Sequence, residues 1–115
     1  NTLLGMVINT ETLKPALAGV TGGLSGPAIR PVAVRAVWQV HAALPHVPLI
    51  GMGGILTGED AFEFILAGAS AIAIGTANFH DPSALTRVQK ELSVLLAERG
   101  FSALQDAIGF AHRKV

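Results

Sequence analysis

Glycine recurs at three places in this sequence: Gly22-Gly23 through Gly26, Gly53-Gly54, and Gly75 followed by Thr76. A residue without a Cβ lets backbone N–H groups come close to a ligand and takes up positive φ. Where such amides open a helix, unpaired donors and the helix dipole favour an anion. The chemistry within reach of these positions is therefore the holding of a phosphate. The other reading is that each pair only permits a sharp turn after a strand. Two successive pairs, each directly after an apolar run, weigh toward phosphate. Neither the dinucleotide fingerprint G-x-G-x-x-G nor the P-loop pattern occurs.

Other chemistries find less support. There is no cysteine, so the chain holds no disulfide, thiolate metal site or cysteine nucleophile. That suits a reducing, cytoplasmic setting. His41, His46, His80 and His112 show no H-E-x-x-H or paired spacing, and no metal site is expected. Glu59 and Asp60 are adjacent and so diverge on a helix; they suit capping and dipole roles. Ser25 has no visible base partner. Asn1 and Thr2 stand at the end of an expected strand, where an amide and a hydroxyl could bind a planar polar substrate. Trp38 reads as core or interface.

The elements that must position these residues alternate between strand and helix. Asn1 to Leu4 is expected to end a strand. Met6–Ile8 and Ala16–Ala18 read as arms of a small hairpin, and Thr21 to Pro27 as a glycine-rich loop. Pro27 to Ala43 reads as a helix, with apolar Val34, Val37 and Trp38 at helical spacing. Pro48 to Met52 and Ala71 to Ile74 are apolar runs of the kind buried on both faces of a parallel sheet. Thr57 is expected to cap a helix reaching about Leu66, with Gly68 ending it. Asp81 or Ser83 caps a further helix from about Pro82 to Glu98, ended by Gly100. A short helix over Leu104 to Ala111 closes the sequence. Parallel βαβ units follow, as a doubly wound sheet or part of a (β/α)8 barrel. Both designs place ligands at the C-terminal ends of the strands.

Composition sets outer limits. Half of the 115 residues are hydrophobic and 14% are charged, so intrinsic disorder is excluded. Eight basic residues balance eight acidic ones, which leaves no basic footprint for nucleic acid. No apolar run reaches the roughly 18–20 residues of a membrane span. The sequence opens on Asn1, and the expectation is a portion of a longer chain.

Four segments together resemble the C-terminal part of dihydroorotate dehydrogenase. They are Asn1-Thr2-Leu3-Leu4-Gly5-Met6, Gly22-Gly23-Leu24-Ser25-Gly26-Pro27-Ala28-Ile29-Arg30-Pro31, Gly51-Met52-Gly53-Gly54-Ile55 and Ile74-Gly75-Thr76-Ala77-Asn78-Phe79. The resemblance is to the class 1B, NAD-linked catalytic subunit, with weaker likeness to flavin barrels such as dihydropyrimidine dehydrogenase. It implies an α/β fold in which residues 1–115 are the C-terminal portion of one FMN-binding (β/α)8 TIM barrel, about strands six to eight. It implies oxidation of dihydroorotate to orotate in pyrimidine biosynthesis. Electrons would leave FMN for NAD through a partner subunit carrying FAD and an iron–sulfur cluster, in an assembly built on a homodimer. By motif, Gly26, Gly53, Gly54, Gly75 and Thr76 are implied to contact FMN, and Asn1 and Thr2 the substrate. The family's base is a cysteine, so this chain holds no catalytic base and is expected to be inactive without the N-terminal portion of the barrel. A non-catalytic phosphate-binding fragment is the alternative.

Overall fold

The computed structural model describes residues 2–113. Its first part is antiparallel. Strand β1 (Leu3–Met6) pairs with β4 (Thr21–Leu24), with Leu3 opposite Leu24 and Met6 opposite Thr21. Between them β2 (Ile8–Asn9) and β3 (Lys14–Pro15) form a small hairpin. Its turn is held by Asn9, whose Oδ1 accepts from the N–H groups of Glu11 (2.9 Å) and Thr12 (3.0 Å). The hairpin expected here is present, with the pairing arms shifted by one to three residues toward its turn. The glycine-rich segment is not the loop its composition suggests. Thr21 to Leu24 is a strand because β1 supplies partners for its backbone, and that non-local pairing overrides the low strand preference of Gly22-Gly23.

A short 3₁₀ turn (Pro27–Ile29) leads into helix α1 (Arg30–Ala43). Pro31 falls in the first turn, where a missing N–H removes no internal bond. One parallel crossover unit follows: β5 (Ile50–Met52), α2 (Gly58–Ala67) and β6 (Ala71–Ala73). Ile50 lies opposite Ala71 and Met52 opposite Ala73. Then come a four-residue helix α3 (Ala77–His80), unforeseen in the sequence, and α4 (Ala84–Glu98). The expected final helix is split. Helix α5 (Leu104–Ala107) stops before Gly109, which is left-handed at φ 66°, and a 3₁₀ turn (Phe110–His112) follows.

Helix α2 is the centre of the core. Thr57 caps it as expected, accepting from the Asp60 N–H, while the Asp60 carboxylate accepts from the Thr57 N–H (3.0 Å). Phe62, Phe64 and Ile65 of α2 pack with Ile55, Ala69, Val88 and Ala107 in one buried cluster. Phe64 lies so close under β5 that a Cβ on Gly51 would stand 2.6 Å from its ring. The expectation that β5 is buried on both faces needs correction. Gly51 is buried, but Ile50 is 62% and Met52 43% exposed. The pattern is that of a two-face-buried strand, yet among the described residues β6 is the only strand paired with it. Trp38 is 39% exposed and stacks on His112 at 3.6 Å between ring centroids. His112 Nε2 donates to the Ala67 carbonyl (2.9 Å), which fastens the last turn to the end of α2.

Phe64→Ala removes a fully buried ring at this junction and leaves a cavity that Gly51 cannot fill. Denaturant unfolding is expected to show a loss of about 3–5 kcal/mol, read as a lower midpoint.

Candidate functional site

Two loops meet at the C-terminal ends of the parallel pair. Residues 53–56 leave β5 and residues 74–76 leave β6. Together with residues 25–27 they wall a cleft of about 410 Å³, within the roughly 300–1,000 Å³ of small-molecule sites. Gly26, Gly53, Gly54, Gly75 and Thr76 all line it, and so does Thr2. The residues expected to contact a cofactor are thus brought to one place from three separate segments. Asn1 lies outside the described residues. Thr2 directly precedes β1, which runs antiparallel to β4. Ser25, Met52 and His80 also line the cleft; the sequence reading gave none of them a place in it. No acidic side chain is among the described residues that line it.

The glycines serve different needs. Gly54 is left-handed at φ 70°, and a Cβ there would lie 2.5 Å from the Gly26 carbonyl oxygen. Its bareness lets the loop after β5 touch the segment before α1. Gly75 has no such demand. Its φ is ordinary, and a Cβ on it would meet no atom within 4 Å. Nothing in the described chain requires a glycine at 75, whereas a ligand seated against the turn would. Gly26 likewise leaves open space where its Cβ would be.

Charged residues hold these loops from outside the cleft. Arg30, at the start of α1, pairs with Asp60 (Nη1, 3.0 Å) and Glu63 (Nε, 3.2 Å), and its Nη1 also reaches the Gly54 carbonyl (3.4 Å). Asp60 Oδ2 accepts from the Leu56 N–H (2.9 Å). On the other side Arg87 of α4 donates to the Leu56 carbonyl (3.0 Å), to Asp81 (3.0 Å) and to Glu91 (3.0 Å). Glu91 Oε2 accepts from the Gly58 N–H (2.6 Å). Of the two residues expected to cap α4, Asp81 and Ser83, Asp81 is the one that accepts a backbone N–H at the helix start, from Ser83 (2.9 Å). The Ser83 side chain caps nothing; its hydroxyl and N–H both donate to Asp81.

In the sequence, Arg30 and Asn78 stand out only as members of the quoted motifs. Asn78 Nδ2 donates to the carbonyls of Ile74 (2.8 Å) and Gly75 (3.1 Å), pinning the turn after β6. A signal was available for Asn78, an amide placed three residues after a glycine turn. Arg30 and Asp60 are far apart in sequence and gave none.

The sequence profile of the family described as dihydroorotate dehydrogenase matches residues 1–96. The chain belongs to that family. It is 57% identical over 113 residues to the dihydroorotate dehydrogenase B (NAD(+)) catalytic subunit of Desulforudis audaxviator, covering 98% of this chain and 36% of the relative. To the same-named subunit of Desulforamulus reducens it is 52% identical, covering 97% and 36%. The dihydroorotate dehydrogenase of Eimeria tenella, solved with ferulenol, superposes with a TM-score of 0.81 at 35% identity, over 99% of this chain and 30% of that one. Its ligand-free form gives 0.78 over 96% and 32%. The chain therefore spans about a third of the length of the curated relatives it matches. Among the described residues of this family member, no helix is long and apolar enough to cross a membrane.

The carboxylates behind the cleft make its support sensitive to acid. The Gly58 N–H, and after it Arg87, hold Glu91 below its ordinary carboxylate range. Ser83 and then Arg87 do the same for Asp81. Both groups are more acidic folded than unfolded, so their stabilisation is present above the unfolded carboxylate range and is lost as pH falls through the folded values. Stability is expected to fall from about pH 4.5 downwards. Glu91→Gln is expected to be less stable at neutral pH and to show a shallower acid loss, measured by chemical unfolding across pH 3 to 7.

Proposed function

We propose that this chain is the C-terminal portion of an FMN-dependent dihydroorotate dehydrogenase of the NAD-linked type. In this reading β5 and β6 are strands seven and eight of a (β/α)8 barrel, and the ribbon of β1 to β4 follows strand six. The observation that carries it is the cleft at the ends of β5 and β6. It is bounded by bare glycine backbone, has open room at Gly75 and Gly26, and lacks acidic lining. Those features suit the phosphate end of a flavin mononucleotide. A phosphate site in the loops after strands seven and eight is frequent in such barrels.

The donors are backbone N–H groups of Gly53-Gly54 and of Gly75-Thr76, in loops that α1, α2 and α4 brace. Met52, Ile55 and Ile74 add apolar surface to the walls. When bound, FMN supplies the two-electron acceptor for oxidising dihydroorotate to orotate. That oxidation also removes a proton, which needs a base, and the cysteine that serves as base in the family is absent from this chain. Thr2, and Asn1 beside it, would hydrogen-bond the substrate. The remainder of the barrel would supply the base, and a partner subunit with FAD and an iron–sulfur cluster would pass electrons to NAD, in a cytoplasmic homodimeric assembly. The portion of chain here is inactive by itself.

The test uses the full-length catalytic polypeptide that this reading requires. The purified protein is expected to release FMN on denaturation and to bleach its flavin absorbance on adding dihydroorotate. Gly75→Val projects a branched side chain into the cleft without demanding a new backbone conformation. It is expected to lower bound FMN at least about tenfold, while stability stays within about 0.5 kcal/mol as for a surface change. Full FMN retention in Gly75→Val would remove this cleft as the cofactor's site.

A further inference from the structure

The turn between β6 and α3 is stabilised by an asparagine whose amide points backwards along the chain. Asn78 Nδ2 carries two hydrogens, and they go to the consecutive carbonyls of Ile74 (2.8 Å) and Gly75 (3.1 Å). The Asn78 N–H also donates to the Gly75 carbonyl (3.0 Å). Each of these carbonyls shares a planar trans peptide with the next residue's N–H, and in a trans peptide the two groups point in opposite directions. Holding the Ile74 carbonyl therefore fixes the direction of the Gly75 N–H. Holding the Gly75 carbonyl fixes that of the Thr76 N–H. Both residues line the cleft. On its Cβ side Gly75 is open, since a Cβ there would have no neighbour within 4 Å. The side chain of Asn78 thus adds two hydrogen bonds to the backbone bond that closes this turn.

We propose that Asn78 is a positioning residue for the phosphate of the bound flavin. It sets the two peptide planes at Gly75 and Thr76 so that their N–H groups converge on one anion. The donors belong to the turn itself and do not depend on the dipole of the short helix α3. The proposal rests on the reading of the cleft as the FMN site. It adds that selectivity for the phosphorylated flavin is set by a side chain that need not touch the ligand.

The experiment compares dissociation constants of FMN and of riboflavin, which lacks the phosphate, for the full-length apoprotein. The wild type is expected to prefer FMN. Asn78→Ala is expected to weaken FMN about tenfold, the scale of one or two hydrogen bonds, and to leave riboflavin binding unchanged. Asn78→Ser keeps one donor and is expected to lose less, which provides a readout should the alanine variant fold poorly. Asn78→Asp cannot donate and adds negative charge, so its FMN loss should be the largest of the three. Equal weakening of both flavins would reduce Asn78 to a structural role and overturn the proposal. An unchanged preference for FMN would overturn it too. A wild type that binds both flavins equally would instead sink the phosphate reading of the cleft.

Discussion

The Asp60 carboxylate is the interaction on which the arrangement turns. It sits in the first turn of α2, where negative charge is favoured. It accepts from the N–H groups of Leu56 and Thr57 and receives the guanidinium of Arg30. One side chain therefore ends the loop from β5, starts the central helix and anchors the beginning of α1. Arg30 extends the link to the Gly54 carbonyl, which is how the loop comes to lie against Gly26. Exposed ion pairs usually contribute little. This one is half-buried, shares its carboxylate with two backbone donors and belongs to a network, which is the setting where geometry counts for more.

A division of labour follows. The backbone faces the cleft, and the charge stands behind it. Arg30, Asp60, Arg87 and Glu91 all hold loop backbone, and none of the four lines the cleft. Among the described residues that line the cleft there is consequently no carboxylate to repel an anion. The same separation explains why the glycines differ. Gly54 is required by a neighbouring stretch of this chain, whereas Gly75 has no neighbour that requires it.

Local features of this design were legible in the sequence. Thr57 with Asp60, the helix stop at Gly68 and the stop at Gly100 each depend on residues within a turn of one another, and each stands where spacing placed it. The meeting of Gly53-Gly54 with Gly75-Thr76 was also legible, because glycines after parallel strands converge at one end of a sheet; Gly26 joined them only through the resemblance. What escaped depends on distant partners. Thr21 to Leu24 pairs across the hairpin with Leu3 to Met6, a contact with no trace in its own composition. Arg30 and Asp60 meet only once α1 and α2 are packed. The apolar run around Ile50 was read correctly as a strand suited to burial, but burial is a property of neighbours. Among the described residues β5 has one strand beside it.

That shortfall bears on function more than on fold. Leu4, Ile50 and Phe79 are each more than 60% exposed, and exposed apolar surface on this scale marks a place where something else packs. Each of the curated relatives named above extends over nearly three times this length. If the remaining length covers β5 and its surroundings, it also closes the cleft, since Met52 and Ala73 sit both on the strands and in the cleft wall. The region that would bury the apolar strands is then the region that would face the ligand. Under the proposed reading, completing the core and supplying the missing base are one structural event.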